Sequence, residues 1–467
     1  MLQPVTIGER PLRALLPALG PERYETCEET LRTARRALAG RTVWQVNTTA
    51  AGGGVAELSH ALLPYARAAG VDVRWLVLPG DPAFFDTTKR LFLLLYGHES
   101  TPEPDDAAFA HYVSGCADAA RGLASRLRPG DIVVLHDPQT AALAPALAAA
   151  GARVVWRCHI GCDAPPPSAE RAWRRLAPFL DAARLMVFST PRHVPGLWRD
   201  RRTAVRVIPP SLDPLSAKNR EWGHEPALAI LSAAGLFAPG YRAAAPPPGT
   251  AVARVNHVTD GPGLPVGRPL VTQVSRWDVL KDMPGVMAAF AERTADLDGA
   301  HLVLAGPDVT GVADDPGGAA VLRECRQGWR KLSAKARSRI HLVTVDMADP
   351  TANATVIAAL QRHATVVTQK SLAEGFGLTV TEAMWKARPV VASAVGGITD
   401  QIQHGREGIL VRDPYDHEAF GDCILRLLAD CELRGRLGRA AHERVHRDYL
   451  PDRHLIRWAE ALLGLLD

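Results

Sequence analysis

Short apolar runs rich in β-branched residues, each followed by a stretch of helical, often alanine-rich composition, recur along this chain and leave few folds open to it. Such alternation predicts parallel sheets covered by helices on both faces, because a parallel crossover needs a helix and buries both sides of its strand. The runs form two series. The first predicts strands at 42–48, 71–78, 131–136, 153–159, 185–189 and 205–208, the second at 270–275, 301–305, 340–345, 365–368, 389–392 and 408–411. A charged amphipathic helix at 21–40 precedes them, and a helical tail from 417 onward is broken at Tyr449-Leu450-Pro451. At 467 residues the chain exceeds what one core usually supports. The expected fold class is therefore α/β, with two doubly wound Rossmann-like domains facing across a cleft. The expected divisions are 1–215, a proline-, glycine- and alanine-rich linker with a small helical insertion at 216–267, 268–445, and a last helix at 446–467 crossing back to the first domain.

Composition removes several function classes. A net charge of +4, with acidic residues spread among the arginines, gives no basic block for nucleic acid. No run of roughly 18 apolar residues suggests a membrane span, and the start lacks a cationic stretch leading into an apolar core, so a cytoplasmic protein is expected. Seven scattered cysteines fit reduced thiols better than a disulfide framework.

In doubly wound sheets ligands bind at the carboxyl ends of strands, so chemistry is sought where a strand run gives way to a helix. The strongest such place is Ser371 to Glu382. It sets Glu374 and Glu382 eight residues apart around Gly375 and Gly377, after a β-type run at 364–369 and before a helical run at 378–387. Amides at Gly377, Leu378 and Thr379 would open a helix, and a helix N-terminus offers unpaired N–H groups and a positive dipole end to a diphosphate. Glu374 suits sugar hydroxyls, and Glu382, about one turn into the helix, suits a ribose. A β–α junction with two surface glutamates is the plainer reading.

Arg276 and Lys281 follow the run 270–275 and are placed to face one anion, as a departing diphosphate requires. Two solvated charges on a turn is the plainer alternative. Gly52, Gly53 and Gly54 let backbone approach a phosphate or sugar after the run 42–48, although they lack the dinucleotide spacing and read equally as a flexible turn. His159 ends the run 153–159 at the same edge and is a candidate for the transferred sugar, with a satisfied core histidine as the alternative. Cys158 and Cys162 beside it do not make a zinc site, since no second ligand pair with suitable spacing follows. Asp137 and Gln139, after the run 131–136, form a further polar cluster for an acceptor.

Taken together and in this order, the triple glycine, Arg276 with Lys281, and the spacing of Glu374 and Glu382 resemble the retaining nucleotide-sugar glycosyltransferases of the GT-B fold, in the glycogen-synthase-like and sucrose-synthase-like group. More narrowly, Val46-Asn47-Thr48-Thr49, His136-Asp137-Pro138-Gln139, Ile208-Pro209-Pro210-Ser211-Leu212-Asp213-Pro214-Leu215-Ser216-Ala217-Lys218-Asn219 and Leu304-Ala305-Gly306-Pro307-Asp308 resemble the trehalose synthases of the glycosyltransferring type. The likeness covers nearly the whole chain. It implies reversible transfer of glucose from ADP-glucose or UDP-glucose to glucose, giving trehalose with retention and no required metal or other cofactor. The first domain would then take the acceptor and the second the nucleotide-sugar. By matching position, Arg276 and Lys281 would hold the diphosphate, Glu374 the donor sugar and Glu382 the ribose. The glycines at 52–54 would close on the phosphates, His159 would sit by the donor glucose, and Asp137 with Gln139 would border the acceptor. Base choice would be read in stretches such as 308–316 and 345–348. The chain departs from the family's His-Ile-Asp with His159-Ile160-Gly161-Cys162-Asp163.

Other readings stay open in the sequence: a retaining trehalose phosphorylase, a glycosyltransferase for another small acceptor, or a non-catalytic sugar-nucleotide sensor. The expected partners are small sugars and a nucleotide-sugar, without nucleic acid or membrane; a homodimer is compatible with this.

Overall fold

The computed structural model describes residues 2–51, 53–198, 204–261, 263–293, 299–309 and 317–466. They divide into two compact units, one of Met1–Asp213, Glu374–Phe376 and Tyr449–Asp467, the other of Pro214–Ala373 and Gly377–Asp448. Each unit is built around one seven-stranded sheet.

In unit 1 the strands are β1 (Gln3–Val5), β2 (Val43–Asn47), β3 (Val73–Val77), β4 (Ile132–His136), β5 (Arg153–Cys158), β6 (Leu185–Phe188) and β7 (Ala204–Val207), in the order β1-β3-β2-β4-β5-β6-β7. All neighbours are parallel except β1, which runs antiparallel to β3 with Gln3 opposite Val77. Central strands with both faces covered read as continuous apolar runs, and β4 is buried at every position. Helix starts follow local chemistry. Asp81 accepts the Phe84 N–H ahead of Pro82, and Asp105 accepts the Ala108 N–H.

Unit 2 holds β8 (Val255–His257), β9 (Leu270–Val274), β10 (His301–Pro307), β11 (Ile340–Val345), β12 (Val366–Gln369), β13 (Val390–Ser393) and β14 (Ile409–Val411), in the order β14-β13-β12-β9-β10-β11-β8. Only β8 is antiparallel, against β11. The segment expected to be a linker at 216–267 is folded into this unit. Its helix His224–Ala234 packs on the helix Pro350–His363, and Trp222, Leu228, Leu231, Phe237 and Leu264 join β9, β10 and β11 in one core cluster. Ala227, Ala229 and Ala234, read as linker composition, are buried in this helix together with Leu228, Ile230 and Leu231.

Strand order fixes where ligands can sit. In sheet 2 the chain runs outward from β9 to β10 and β11, then returns to β12 on the other side of β9. Loops leaving β9 and β12 therefore diverge and leave a crevice at their carboxyl ends. Sheet 1 reverses in the same way between β2 and β4.

The tail is helical at Cys431–Asp448 and Pro451–Leu463, and the second of these packs on Pro21–Ala37 within unit 1. Among the described residues no helix is long and apolar enough to cross a membrane.

Candidate functional site

At the sheet 2 switch point, β9 leads into Arg276 and then a one-turn helix, Val279–Lys281. Asp278 starts that turn by accepting the Leu280 N–H at 2.9 Å and lies 3.8 Å from an Arg276 nitrogen. Arg276 and Lys281 are both half-buried. Opposite, β12 leads through a loop into the helix Leu378–Trp385, whose cap, Gly377, has a left-handed φ of 87° and no side-chain capping bond. A residue with a Cβ would strain there, so glycine sets the angle at which the first amides emerge.

Buried polar side chains tie the two loops together. Gln273, fully buried on β9, donates to the Lys281 carbonyl at 2.7 Å and accepts the Lys370 N–H at 2.9 Å. The Leu372 N–H donates to the Leu280 carbonyl at 2.8 Å. Lys370 is fully buried, pairs with Asp282 and donates to the Pro414 carbonyl at 2.6 Å. Gln369 accepts from the Thr379 hydroxyl at 2.9 Å, which ties β12 to the first turn of the helix. The cation-bearing loop and the helix N-terminus thus belong to one bonded frame.

Glu382 is buried in the second turn of that helix, and its Oε1 lies 3.1 Å from Lys218 Nζ. Lys386, one turn on, donates to the Glu382 carbonyl at 3.2 Å and to Gln361 at 2.9 Å. Burial, with Lys218 and Arg362 nearby, pushes the Lys386 ammonium down to about 7 against the pull of Glu382.

In unit 1, Gly52 lies outside the described residues. Gly53 caps the helix Gly54–Ala68 with φ 99°, again without a side-chain capping bond, and Asn47 at the end of β2 donates to the Thr49 carbonyl at 2.7 Å. Asp137 follows β4 at a left-handed φ of 60°, unusual for a residue with a side chain. Hydrogen bonds from β5 and the residue that follows it hold it there. Its Oδ1 accepts the His159 N–H at 2.7 Å, and its carbonyl accepts the Trp156 Nε1–H at 3.0 Å. Burial pushes the Asp137 carboxyl up to about 7, opposed by the His159 amide and by Arg157. Asp137 and His159, assigned separate roles by position, are therefore direct partners. Gln139 is half-buried, and its Oε1 has no hydrogen-bond partner among the described residues.

The His159 ring stacks on His136, centroids 5.3 Å apart, with Nε2 3.0 Å from His136 Nδ1; His136 Nε2 is 2.8 Å from Gln45 Oε1. Burial, reinforced by the Arg157 guanidinium, pushes His136 down to about 3 and His159 well below the ordinary imidazole range. Both rings are thus disfavoured as cations, and each neutral imidazole offers one donor and one acceptor nitrogen along the run Gln45–His136–His159. Both rings line a cavity of about 100 Å³ whose walls include helices Pro21–Ala37, Gly54–Ala68 and Pro451–Leu463. Glu374–Phe376 group with this unit: Glu374 is buried, and a Cβ at Gly375 would collide with the His159 carbonyl and stand 2.9 Å from the Tyr96 hydroxyl.

Comparison with known proteins gives this arrangement a family. The profile described as "Trehalose synthase, N-terminal domain" matches residues 45–195, and that of "Glycosyl transferases group 1" matches 259–444. Trehalose synthase of Pyrococcus horikoshii is 33% identical over 466 residues, 98% of this chain and 97% of that protein. The chain belongs to the trehalose synthase family. Trehalose synthase of Rubrobacter xylanophilus is 34% identical over 475 residues, 100% of each chain. Among solved structures, an α,α-trehalose-phosphate synthase (UDP-forming) from Burkholderia vietnamiensis superposes with a TM-score of 0.68 at 18% identity, covering 91% of this chain and 98% of that one, which establishes the GT-B fold. As a member of the trehalose synthase family the chain is a glycosyltransferase of trehalose metabolism.

At Gly161 the backbone and its neighbour leave no room for a side chain. Its φ is 155°, and a Cβ there would come within 2.6 Å of the His193 side chain. Asp163 stands 3.7 Å from His193 Nε2. Two residues of the frame were not singled out by sequence: Gln273 and Lys370. Lysine and glutamine in or beside apolar strand runs were the available signal, since burying such groups demands partners.

Proposed function

We propose that this chain transfers glucose from a nucleoside diphosphate glucose, ADP-glucose or UDP-glucose, to free glucose, giving trehalose with retention, reversibly and without a required metal. The observation that carries the reading is the frame at the sheet 2 switch point, where Gln273 and Lys370 brace the turn of Lys281 and Asp282, which follows Arg276, beside the helix opening at Gly377. A diphosphate leaving group needs its developing charge met by preorganised donors, and two cations with a helix N-terminus supply them.

In this mechanism the amides of Gly377, Leu378 and Thr379 receive the diphosphate, and Arg276 and Lys281 hold its charge. Glu382 accepts from the ribose hydroxyls and Glu374 from those of the donor glucose. In unit 1, Gly53 and Gly54 approach the phosphates, His159 sits by the donor glucose, and Asp137 and Gln139 border the acceptor. The bond from the anomeric carbon to the phosphate oxygen breaks while the acceptor oxygen bonds to that carbon on the same face. The acceptor's proton passes to the departing phosphate oxygen, so no carboxylate acts as base, and the rate comes from positioning and charge stabilisation.

The test is a product assay with purified protein, free glucose and ADP-, UDP- or GDP-glucose in the absence of divalent metal. Trehalose together with nucleoside diphosphate is the expected result and names the donor. Nucleoside diphosphate released only with another acceptor would overturn the acceptor assignment. If phosphate and trehalose instead yield glucose 1-phosphate with no activity on nucleotide sugars, the donor assignment falls.

A further inference from the structure

We propose that Lys218 is a positioning residue that orients the Glu382 carboxylate toward the ribose of the nucleotide, so that the turn carrying Lys218 sets how strongly the 2′- and 3′-hydroxyls are read. The inference rests on the reading of Glu382 as the ribose acceptor. Lys218 belongs to the turn Ser216 to Asn219, which is fastened to the helix Leu378–Trp385 at two points. Trp385 Nε1 donates to the Asn219 carbonyl at 3.0 Å, and Lys218 Nζ lies 3.1 Å from Glu382 Oε1. The turn is closed on itself by the Asn219 N–H to the Ser216 carbonyl at 3.0 Å and by Asn219 Nδ2 to the Ser216 hydroxyl at 3.1 Å. Lys218 therefore approaches Glu382 from a braced backbone.

Glu382 is only 3% exposed, and a carboxylate so buried keeps its charge only with a cation beside it. That charge matters for a sugar, because hydroxyls bond more strongly to an ionised carboxylate than to a neutral carboxyl. An ionised carboxylate has about four acceptor positions, so an ammonium on Oε1 fixes the plane of the group without using it up. Lys386, on the other side, bonds the Glu382 carbonyl rather than the carboxylate. Lys386 thus holds the backbone of Glu382 while Lys218 holds its side chain.

Binding of ADP and UDP, each compared with its 2′,3′-dideoxy counterpart, is measured by titration calorimetry on wild type, K218M and K218R. The wild type is expected to favour the ribose form by roughly 10–100-fold, the range seen when a site loses hydroxyl partners. K218M is expected to compress that preference to within about threefold by weakening the ribose form alone, and K218R to restore most of it. Equal weakening of both forms, or an unchanged preference, overturns the inference. A wild type that binds neither nucleoside diphosphate overturns the donor reading, and that failure appears before any variant is compared. If K218M does not fold, K218A is measured in its place against the same expectations.

Discussion

Replacing Asp282 with Asn removes one charge from the loop that carries Lys281 and preserves nearly everything else. Asp282 sits at a left-handed φ of 42°, a conformation that Asn also tolerates, and an amide oxygen can still accept the Gly285 N–H bond seen at 3.0 Å. What disappears is the counter-charge of Lys370, whose side chain is 0% exposed. Removing one member of a buried pair costs about 3–5 kcal/mol. Here Lys370 retains the Pro414 carbonyl at 2.6 Å, and the Asp282 side chain is 17% exposed, so the cost is reduced to about 2–3 kcal/mol. For a unit of this size that lowers the melting temperature by roughly 4–12 °C. Differential scanning calorimetry of D282N reads the shift in the unit 2 transition, and adding K370M should recover most of it, since a neutral pair strands no charge. A D282N transition within about 1 °C of wild type, or a double variant no more stable than D282N, would refute this account of the buried pair.

Lys281→Ala should lower kcat/KM for the nucleotide sugar by about 10²–10³ while the melting temperature barely moves, as expected for loss of one leaving-group donor; unchanged turnover would remove the proposed clamp. Asp137→Asn should change the pH dependence of stability. The folded Asp137 carboxyl holds its proton to about 7 against an ordinary 3.8, so its contribution is complete below 3.8 and is lost as pH rises through 7. D137N should therefore gain on wild type between those pH values, by at most about 4 kcal/mol, in urea titrations run at each pH; a constant difference would contradict the assigned shift. Gly375→Ala drives a methyl group into the His159 carbonyl and should cut turnover by roughly 10–100-fold in the same product assay. Turnover within twofold of wild type would show that this approach is not needed.

Most of the twelve parallel strands were legible because strands buried on both faces carry their own signal, as in Ile132-Val133-Val134-Leu135, whereas β7 is not buried at any position. The antiparallel edges β1 and β8 were not. Each is three residues long, Gln-Pro-Val and Val-Asn-His, too short and too polar to show a period, and only pairing with β3 and β11 makes them strands. At the candidate site, sequence put Arg276, Lys281 and Gly377 beside strand ends. It could not show that Gln273 and Lys370 tie the turn of Lys281 and Asp282 to the loop after β12, since those contacts span up to 97 residues of chain. The His159–His136 pairing was hidden for the same reason, because strand order rather than spacing puts β4 beside β5.

Unit 1 is assembled from segments far apart in the chain, and this has a bearing on biosynthesis. The helix Pro451–Leu463 pairs with Pro21–Ala37, made more than four hundred residues earlier, and Arg23 bonds Asp452 at 2.7 Å. While the ribosome is still translating the second sheet, Leu31, Leu58 and Leu62 lack the apolar cover that Leu455 and Leu462 later provide. Until Pro451–Leu463 has been made, the nascent chain thus carries an exposed apolar groove, which is where a holding chaperone would bind.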